Sequence, residues 1–390
     1  MQDLVKNFNR TNEWGIKVDA SYQGGLDDLY AAVAAGLESG EPPDLVVGYP
    51  YQAHAWDAWE QVVDLTQYVD DPVWGFSPQE QADFYPVFWE QDLSEDRRLG
   101  LPAQRSGQVL YYNTTWAKEL GFTAPPVTPE QFRQQACAAA RVNQQDDDPD
   151  NNATGGYIFT TNYSAALGWI QAFGGEVLNA GRDGYRFDTP AVKNAFTFLR
   201  RLYDEGCAWL SDSQLPETAF AARQGLFAAG SVMGIPHQAE MFERLGSADQ
   251  WTVIAFPSPA GTPAINVYGP SFSLLPSTPE QQLAAWLFVK WLVDTENQAQ
   301  LIEASAGFPL RVSVLDEVNI ASGSYPQWGA AVDLLSNAKA EPSLASWRLA
   351  RWAVYDAFTQ LFRYYFSADQ VPDLAELLNE TAADLQRELR

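Results

Sequence analysis

Apolar positions recur along the chain at two spacings. Leu4, Val5 and Phe8 stand three to four residues apart, the mark of a helix face, while Ile16–Tyr22 (IKVDASY) alternates as a strand does. Gly24 and Gly25 make a turn. Leu26–Gly40 reads as an amphipathic helix closed by glycine. The short apolar run Asp44–Val47, after Pro42 and Pro43, reads as a buried parallel strand. This β-α-β alternation predicts an α/β domain whose ligand crevice lies beyond the carboxyl ends of its strands, which here means the loop Gly48–His54.

Further along, Ala55–Val69 is helical in pattern, and the polar loop holding Gln104, Arg105 and Ser106 runs into a strand at Val109–Tyr112. Gly121 ends a helix, Pro125-Pro126 is a rigid connector, and Thr128 with Pro129 starts the next helix as N-cap and first position. Gly156–Phe159 reads as a strand, followed by a polar loop at Thr160–Ser164 and a helix ending at Gly174-Gly175. Thr189 and Pro190 open another long helix, and Val232–Ile235 reads as a strand. Trp251 begins a strand leaving one domain, and Ile265–Pro276 enters another. From Pro279 onward the pattern is helical, over Pro279–Ser305, Tyr325–Asn337, Leu344–Phe366 and Asp373–Arg390.

A chain of 390 residues exceeds what one hydrophobic core supports, so two domains are expected. The 14 Trp and 17 Tyr exceed the needs of a core and suit surfaces that stack on sugars or other flat, half-apolar ligands. A net charge of −26 repels phosphate backbones and anionic lipid, which disfavours nucleic-acid and membrane-surface roles. The longest apolar run, Leu283–Val293, is too short to span a bilayer and contains Lys290. Cys137 and Cys207 lie in no CxxC or His-paired pattern; they are either two buried small residues or, in an oxidising compartment, a bridge. No signal peptide is visible at the start.

The motifs of catalysis are missing. There is no GxSxG, HExxH, GxxxxGK[ST] or strand-borne GxGxxG. His54 and His237 each follow an apolar run without a nucleophile or an orienting partner. Asp146, Asp148, Asp150 and Asn152 alternate as in a calcium loop, but Asn151 and Tyr157 stand where glycine and glutamate are needed, so a solvated loop is expected. No metal or cofactor is expected. Fifty acidic residues keep a carboxylate-based glycoside hydrolase open as an alternative, though Asp57, Glu60 and Asp64 read as an ordinary polar helix face.

Recognition chemistry recurs instead at strand ends. The candidates are Tyr22, Gln23 and Gly25; Tyr49, Tyr51 and Gln52; Gln104, Arg105 and Ser106; Asn162, Tyr163 and Trp169; and His237 with Gln238. Amide, hydroxyl and guanidinium groups hold a polyol while a ring covers its C–H face.

The order of motifs resembles the extracellular solute-binding proteins of ABC importers, family 1, the group of maltose- and glycerol-3-phosphate-binding proteins. The resemblance runs through Leu4–Asn9 (LVKNFN), Gly36–Val47 (GLESGEPPDLVV), Asp64–Val69 (DLTQYV) and Leu110–Leu120 (LYYNTTWAKEL) with the double proline. It continues through Phe220–Met233 (FAARQGLFAAGSVM), Tyr268–Leu274 (YGPSFSL), and Ala285–Gln300 leading to Gly307–Leu310 (GFPL). It implies a two-lobed, type II periplasmic-binding-protein-like α/β fold with a ligand cleft between the lobes. The N-terminal lobe would be 1–108 plus 264–307 and the C-terminal lobe 109–263 plus 308–390, with hinge crossovers near 107–112, 256–270 and 306–312.

The implied activity is that of a monomeric, extracytoplasmic receptor, lipid-anchored in its precursor. It would bind a carbohydrate and deliver it to a membrane permease. Arg351, Gly307 and the small-residue stretch Gly269 to Ser271 match positions of the glycerol-3-phosphate branch, with Tyr268 and Phe308 beside them as further binding candidates, while Pro50 replaces a ligand-contacting glutamate there. Glycerol-3-phosphate or a glycerophosphodiester is the alternative ligand. Trp347 and Trp352 flank Arg351 as stacking platforms or as core. The family's first strand is missing, since the chain opens on a helix.

Overall fold

The computed structural model describes residues 1–211, 216–318 and 325–389. The chain divides into two compact units. One comprises Met1–Arg105, Tyr268–Asn319 and Ser343–Trp347, and the other Ser106–Val267, Ile320–Pro342 and Arg348–Arg390. Both mix helices with strands. Residues 308–318 cluster with the first unit, whereas the sequence reading closes that lobe at 307. The reason is local: Phe308 N donates to Arg105 O at 2.8 Å, and Arg311 Nε to Asp83 at 2.8 Å.

In the first unit, helix Gln2–Thr11 buries Leu4, Val5 and Phe8, as the spacing predicts, and the Phe8 ring packs on Phe288 and Trp291. A three-stranded antiparallel sheet runs in the order Leu45–Gly48, Ser271–Leu274, Leu101–Pro102. A core of Val33, Val46, Trp56, Val62, Leu99 and Leu275 packs with Leu29, Tyr30 and Leu37 of helix Leu26–Ser39.

Several expectations are corrected here. The strand at Leu45–Gly48 is antiparallel and not fully buried, with Val47 exposed, because its neighbour in the sheet arrives from Ser271–Leu274. The expected loop Gly48–His54 is largely helix, Pro50–Asp57, with Pro50 at its first position and Gln52 accepting from Tyr49 N at 2.9 Å. The helical pattern of Ala55–Val69 stops at Asp57 and resumes only at Thr66–Val69. Ile16–Tyr22 forms no strand ladder. Its peptide groups pair instead with helix side chains: Asn12 bonds both N and O of Ile16, and Asn9 both N and O of Val18. Pro279–Ser305 is two helices, Pro279–Leu292 and Thr295–Ser305, because Asp294 caps the second.

In the second unit, seven strands among the described residues form one mixed sheet. The strand Ser106–Asn113 is buried along its whole length and pairs antiparallel with Phe227–Ser231 and Trp251–Ile254. Tyr157–Phe159 runs parallel to both Phe227–Ser231 and Ala208–Leu210. Helices Pro129–Gln145 and Pro190–Asp204 begin as predicted, the Thr128 and Thr189 hydroxyls accepting from Gln131 N and Val192 N. Phe132 meets Phe227, Tyr157 and Trp169 at ring-centroid distances of 4.3, 5.3 and 5.2 Å. The pairing left open by sequence is a bond: Cys137 and Cys207 are joined, clamping helix Pro129–Gln145 to the segment entering Ala208–Leu210. The strand expected at Val232–Ile235 lies earlier, at Phe227–Ser231, and Pro236 opens helix Ile235–Arg244. Arg390, the expected end of the last helix, lies outside the described residues.

Candidate functional site

A cluster of rings around a guanidinium, with one indole half exposed, gathers in the second unit around the first turns of helix Trp347–Gln360. Residue 355 falls four after 351 and three after 352, and so neighbours both on the surface of that helix. Trp352 is 47 % exposed. Its ring meets Tyr163 at 6.3 Å and Tyr355 at 5.8 Å, both edge to face. Arg351 is buried behind them, its guanidinium 5.9 Å from the Tyr163 ring centre and 5.3 Å from that of Trp352. These are cation–π distances, and a guanidinium there keeps both rings oriented. Thr161 Oγ1 donates to the Tyr355 hydroxyl at 3.4 Å.

The position of Tyr163 follows from its neighbours. Asn162 caps helix Tyr163–Ala172, its side chain accepting from Ser164 N and Ala165 N. One residue on, Ser164 Oγ donates to the buried carboxylate of Glu341 at 2.6 Å, and Asn266 Nδ2 donates to the same oxygen at 2.8 Å. Gln171 Nε2 continues the chain to Asn266 Oδ1 at 3.1 Å. Hydrogen bonds between buried polar groups of this kind favour one arrangement. The Tyr163 ring is therefore presented by a rigid helix start.

Of the sequence candidates in this unit, Tyr163 and Arg351 meet in the cluster and Asn162 supports it. Trp169 is fully buried, with its indole N–H on the Tyr157 hydroxyl at 3.3 Å. Gln238 is buried and donates to Glu217 O at 3.0 Å. His237 is half exposed on a helix, 3.6 Å from Glu240. Ser106 Oγ accepts from Met233 N at 3.4 Å. The two tryptophans separate: Trp347, the last residue assigned to the first unit, is completely buried, and Trp352 in the second is the open one. Sequence reasoning passed over Tyr355, although it lies one turn beyond Trp352, and the bracing carboxylate Glu341, whose partners are 177 and 75 residues away.

In the first unit, Tyr22 is 90 % exposed, Gln23 donates to Ser21 at 2.6 Å, and Gly25 N donates to Asp28 at the start of helix Leu26–Ser39. Tyr49 and Tyr51 meet at 5.6 Å with Tyr51 buried, and buried Gln52 donates to Leu26 O at 2.7 Å. Arg105 is fully buried, its guanidinium on Asp92, Ser271 and the carbonyls of Gln104, Gly269 and Pro270. Burial pushes the Asp92 carboxyl up, against the pull of Arg105, and pushes the Arg105 guanidinium down. Tyr268 is partly buried at the end of strand Ile265–Tyr268, and Phe308 is buried against Phe88. Gly307 precedes it in the stretch that pairs with Arg105.

Around the acidic loop, Asp146 and Asp148 accept from the N–H groups of Asp148 and Asp150, and Asn151 Nδ2 donates to Asp146. No helix among the described residues is long and apolar enough to cross a membrane.

The model of the bacterial extracellular solute-binding protein family matches residues 3–330. A probable ABC transporter-binding protein of Deinococcus radiodurans is 23 % identical over 304 residues, 72 % of this chain and 70 % of the relative. Among solved structures, the sugar-binding protein MalE of Xanthomonas citri superposes with a TM-score of 0.84 at 18 % identity, covering 99 % of this chain and 94 % of the other. The cyclic α-maltosyl-1,6-maltose binding protein of Arthrobacter globiformis gives 0.81 at 17 %, covering 99 % and 95 %. UgpB of Mycobacterium tuberculosis, in complex with glycerophosphocholine, gives 0.76 at 16 %, covering 100 % and 95 %. These likenesses bear out the two-lobed α/β fold class.

Proposed function

The chain belongs to the bacterial extracellular solute-binding proteins, and from that premise we propose that it is the receptor of an ABC importer for a carbohydrate. The relative from Deinococcus radiodurans supports the transporter assignment, and the sugar-binding structural relatives support the ligand class. The observation that carries the reading is Trp352, a half-exposed indole held by Tyr163, Tyr355 and Arg351 in a unit whose other large rings are mostly buried. A sugar ring stacks its C–H face on such a surface while its hydroxyls bond the rim. Binding then shifts the protein toward its bound form by the difference in affinity between forms.

The protein binds and releases its solute unchanged, works as a monomer outside the cytoplasm and hands the solute to a membrane permease. The Cys137–Cys207 bond supports an oxidising compartment.

The likeness to UgpB favours a second reading, a glycerophosphodiester. Against it, the Arg351 guanidinium is buried under two rings, which leaves little of its fork for a phosphate.

A melting-temperature screen against maltose, maltotriose, trehalose, glycerol-3-phosphate and glycerophosphocholine tests both. A ligand at a hundred times its Kd adds about 2.7 kcal/mol. A sugar that raises the melting temperature and is recovered intact supports the receptor for carbohydrate. A response to the phosphodiester alone replaces it with the second reading, and a sugar consumed during the assay overturns both.

A further inference from the structure

Arg105 and Asp92 form an ion pair with no exposed surface beyond 1 %. Arg105 Nη2 donates to Asp92 at 3.2 Å and to Ser271 Oγ at 2.9 Å. Nη1 donates to the carbonyls of Gln104, Gly269 and Pro270 at 3.0, 3.2 and 2.6 Å. The Arg105 carbonyl accepts from Phe308 N at 2.8 Å. Three separate stretches, 104–105, 269–271 and 307–308, thus meet on one residue.

Gly269 shows how close the approach is. Its φ is +154°, and a Cβ there would lie 2.2 Å from Gln104 O. Two of the three stretches adjoin points where the chain passes from one unit to the other, between Arg105 and Ser106 and between Val267 and Tyr268. Arg105 is enclosed by protein and cannot touch a solute. Any part it has in binding is indirect.

Resting on the receptor reading above, we propose that the Arg105–Asp92 pair is the positioning element for solute binding: it ties these two passages, among those the chain makes between units, to one buried carboxylate and holds them in a single conformation. The fraction of protein ready to bind then depends on this pair, because apparent affinity scales with the population of the competent form. The fork geometry matters as much as the charge. A lysine at 105 keeps the ion pair with Asp92 but cannot reach the carbonyls of Gly269 and Pro270 and the Ser271 hydroxyl together.

Arg105→Lys tests this, with a double variant, Arg105→Met with Asp92→Leu, that removes both buried charges if the single change does not fold. Asp204→Asn, which breaks the Arg200 pair elsewhere in the second unit, serves as a comparator of stability loss alone. Hydrogen exchange of the ligand-free proteins is measured first. The amides of Ser106–Asn113 and Ile265–Leu274 are expected to exchange at least tenfold faster in the Arg105 variants, and at the wild-type rate in Asp204→Asn. Maltotriose titration follows, with a tenfold or greater loss of affinity expected in the Arg105 variants and none in Asp204→Asn. Wild-type affinity in Arg105→Lys overturns the proposal. If maltotriose does not bind the wild type, the carbohydrate reading fails on its own, and exchange at the two passages no faster than in Asp204→Asn overturns the positioning role.

Discussion

The indole of Trp352 stands edge-on to the phenol of Tyr163 at 6.3 Å, and five residues before it on the same helix Trp347 is wholly enclosed. Two tryptophans of one motif thus have opposite surroundings. Trp352→Ala is expected to cost about 2 kcal/mol of solute binding, roughly thirtyfold in Kd, with little change in melting temperature. Trp347→Ala is expected to do the reverse, removing about 3–5 kcal/mol of stability. Calorimetric titration alongside thermal unfolding separates them; a Trp352 variant that melts early but binds normally removes the indole from the site.

The bond between Cys137 and Cys207 closes a separation of 70 residues. A loop of that size constrains the unfolded chain by about 4 kcal/mol if native packing is unstrained. Unfolding of the double variant Cys137→Ala with Cys207→Ala, against the wild type with and without a reductant, measures it. The expected result is one lowered midpoint shared by the variant and the reduced protein.

Arg223 and Asn113 bond the Asp249 carboxylate at 2.6, 2.7 and 2.7 Å. The Arg223 hydrogen bonds, the largest cause, hold this carboxyl below 3.8 in spite of its burial. A depressed folded-state value means that the stabilisation is complete above pH about 3.8 and is lost as pH falls through the lower value. The melting-temperature difference between wild type and Asp249→Asn is therefore expected to be constant near neutrality and to shrink on acidification below pH about 3.8. A difference that stays level throughout removes the pair as its source.

Gly269 and Gly121 both have positive φ, but only Gly269 has a carbonyl where a Cβ would be. Gly269→Ala is expected to lose about 2 kcal/mol or more, and clearly more than Gly121→Ala, which meets strain in open space. Denaturant titration of the two variants decides, and equal losses would mean that the close approach to Gln104 costs nothing.

What was legible in the sequence was what neighbouring residues determine. Thr128 with Pro129, and Thr189 with Pro190, carry their own start signals, and both helices begin there. The apolar run Asp44–Val47 predicts a strand, observed at Leu45–Gly48, but not its partner's direction, because a ladder with Ser271–Leu274 leaves no trace within either segment. The expected loop Gly48–His54 gives way to a helix because proline at position 50 favours a helix's first turn. At the site, Arg351 and Tyr163 were visible as residue types. The choice between Trp347 and Trp352 required burial, which periodicity within one helix did not give. Glu341 was invisible because its hydrogen-bond partners, Ser164 and Asn266, lie far off in the chain.

Helix Trp347–Gln360 carries both an enclosed indole, Trp347, and a half-exposed one, Trp352. A substitution at the open ring leaves the enclosed one in place, so what the protein holds and what holds the protein together can be altered one at a time on a single helix.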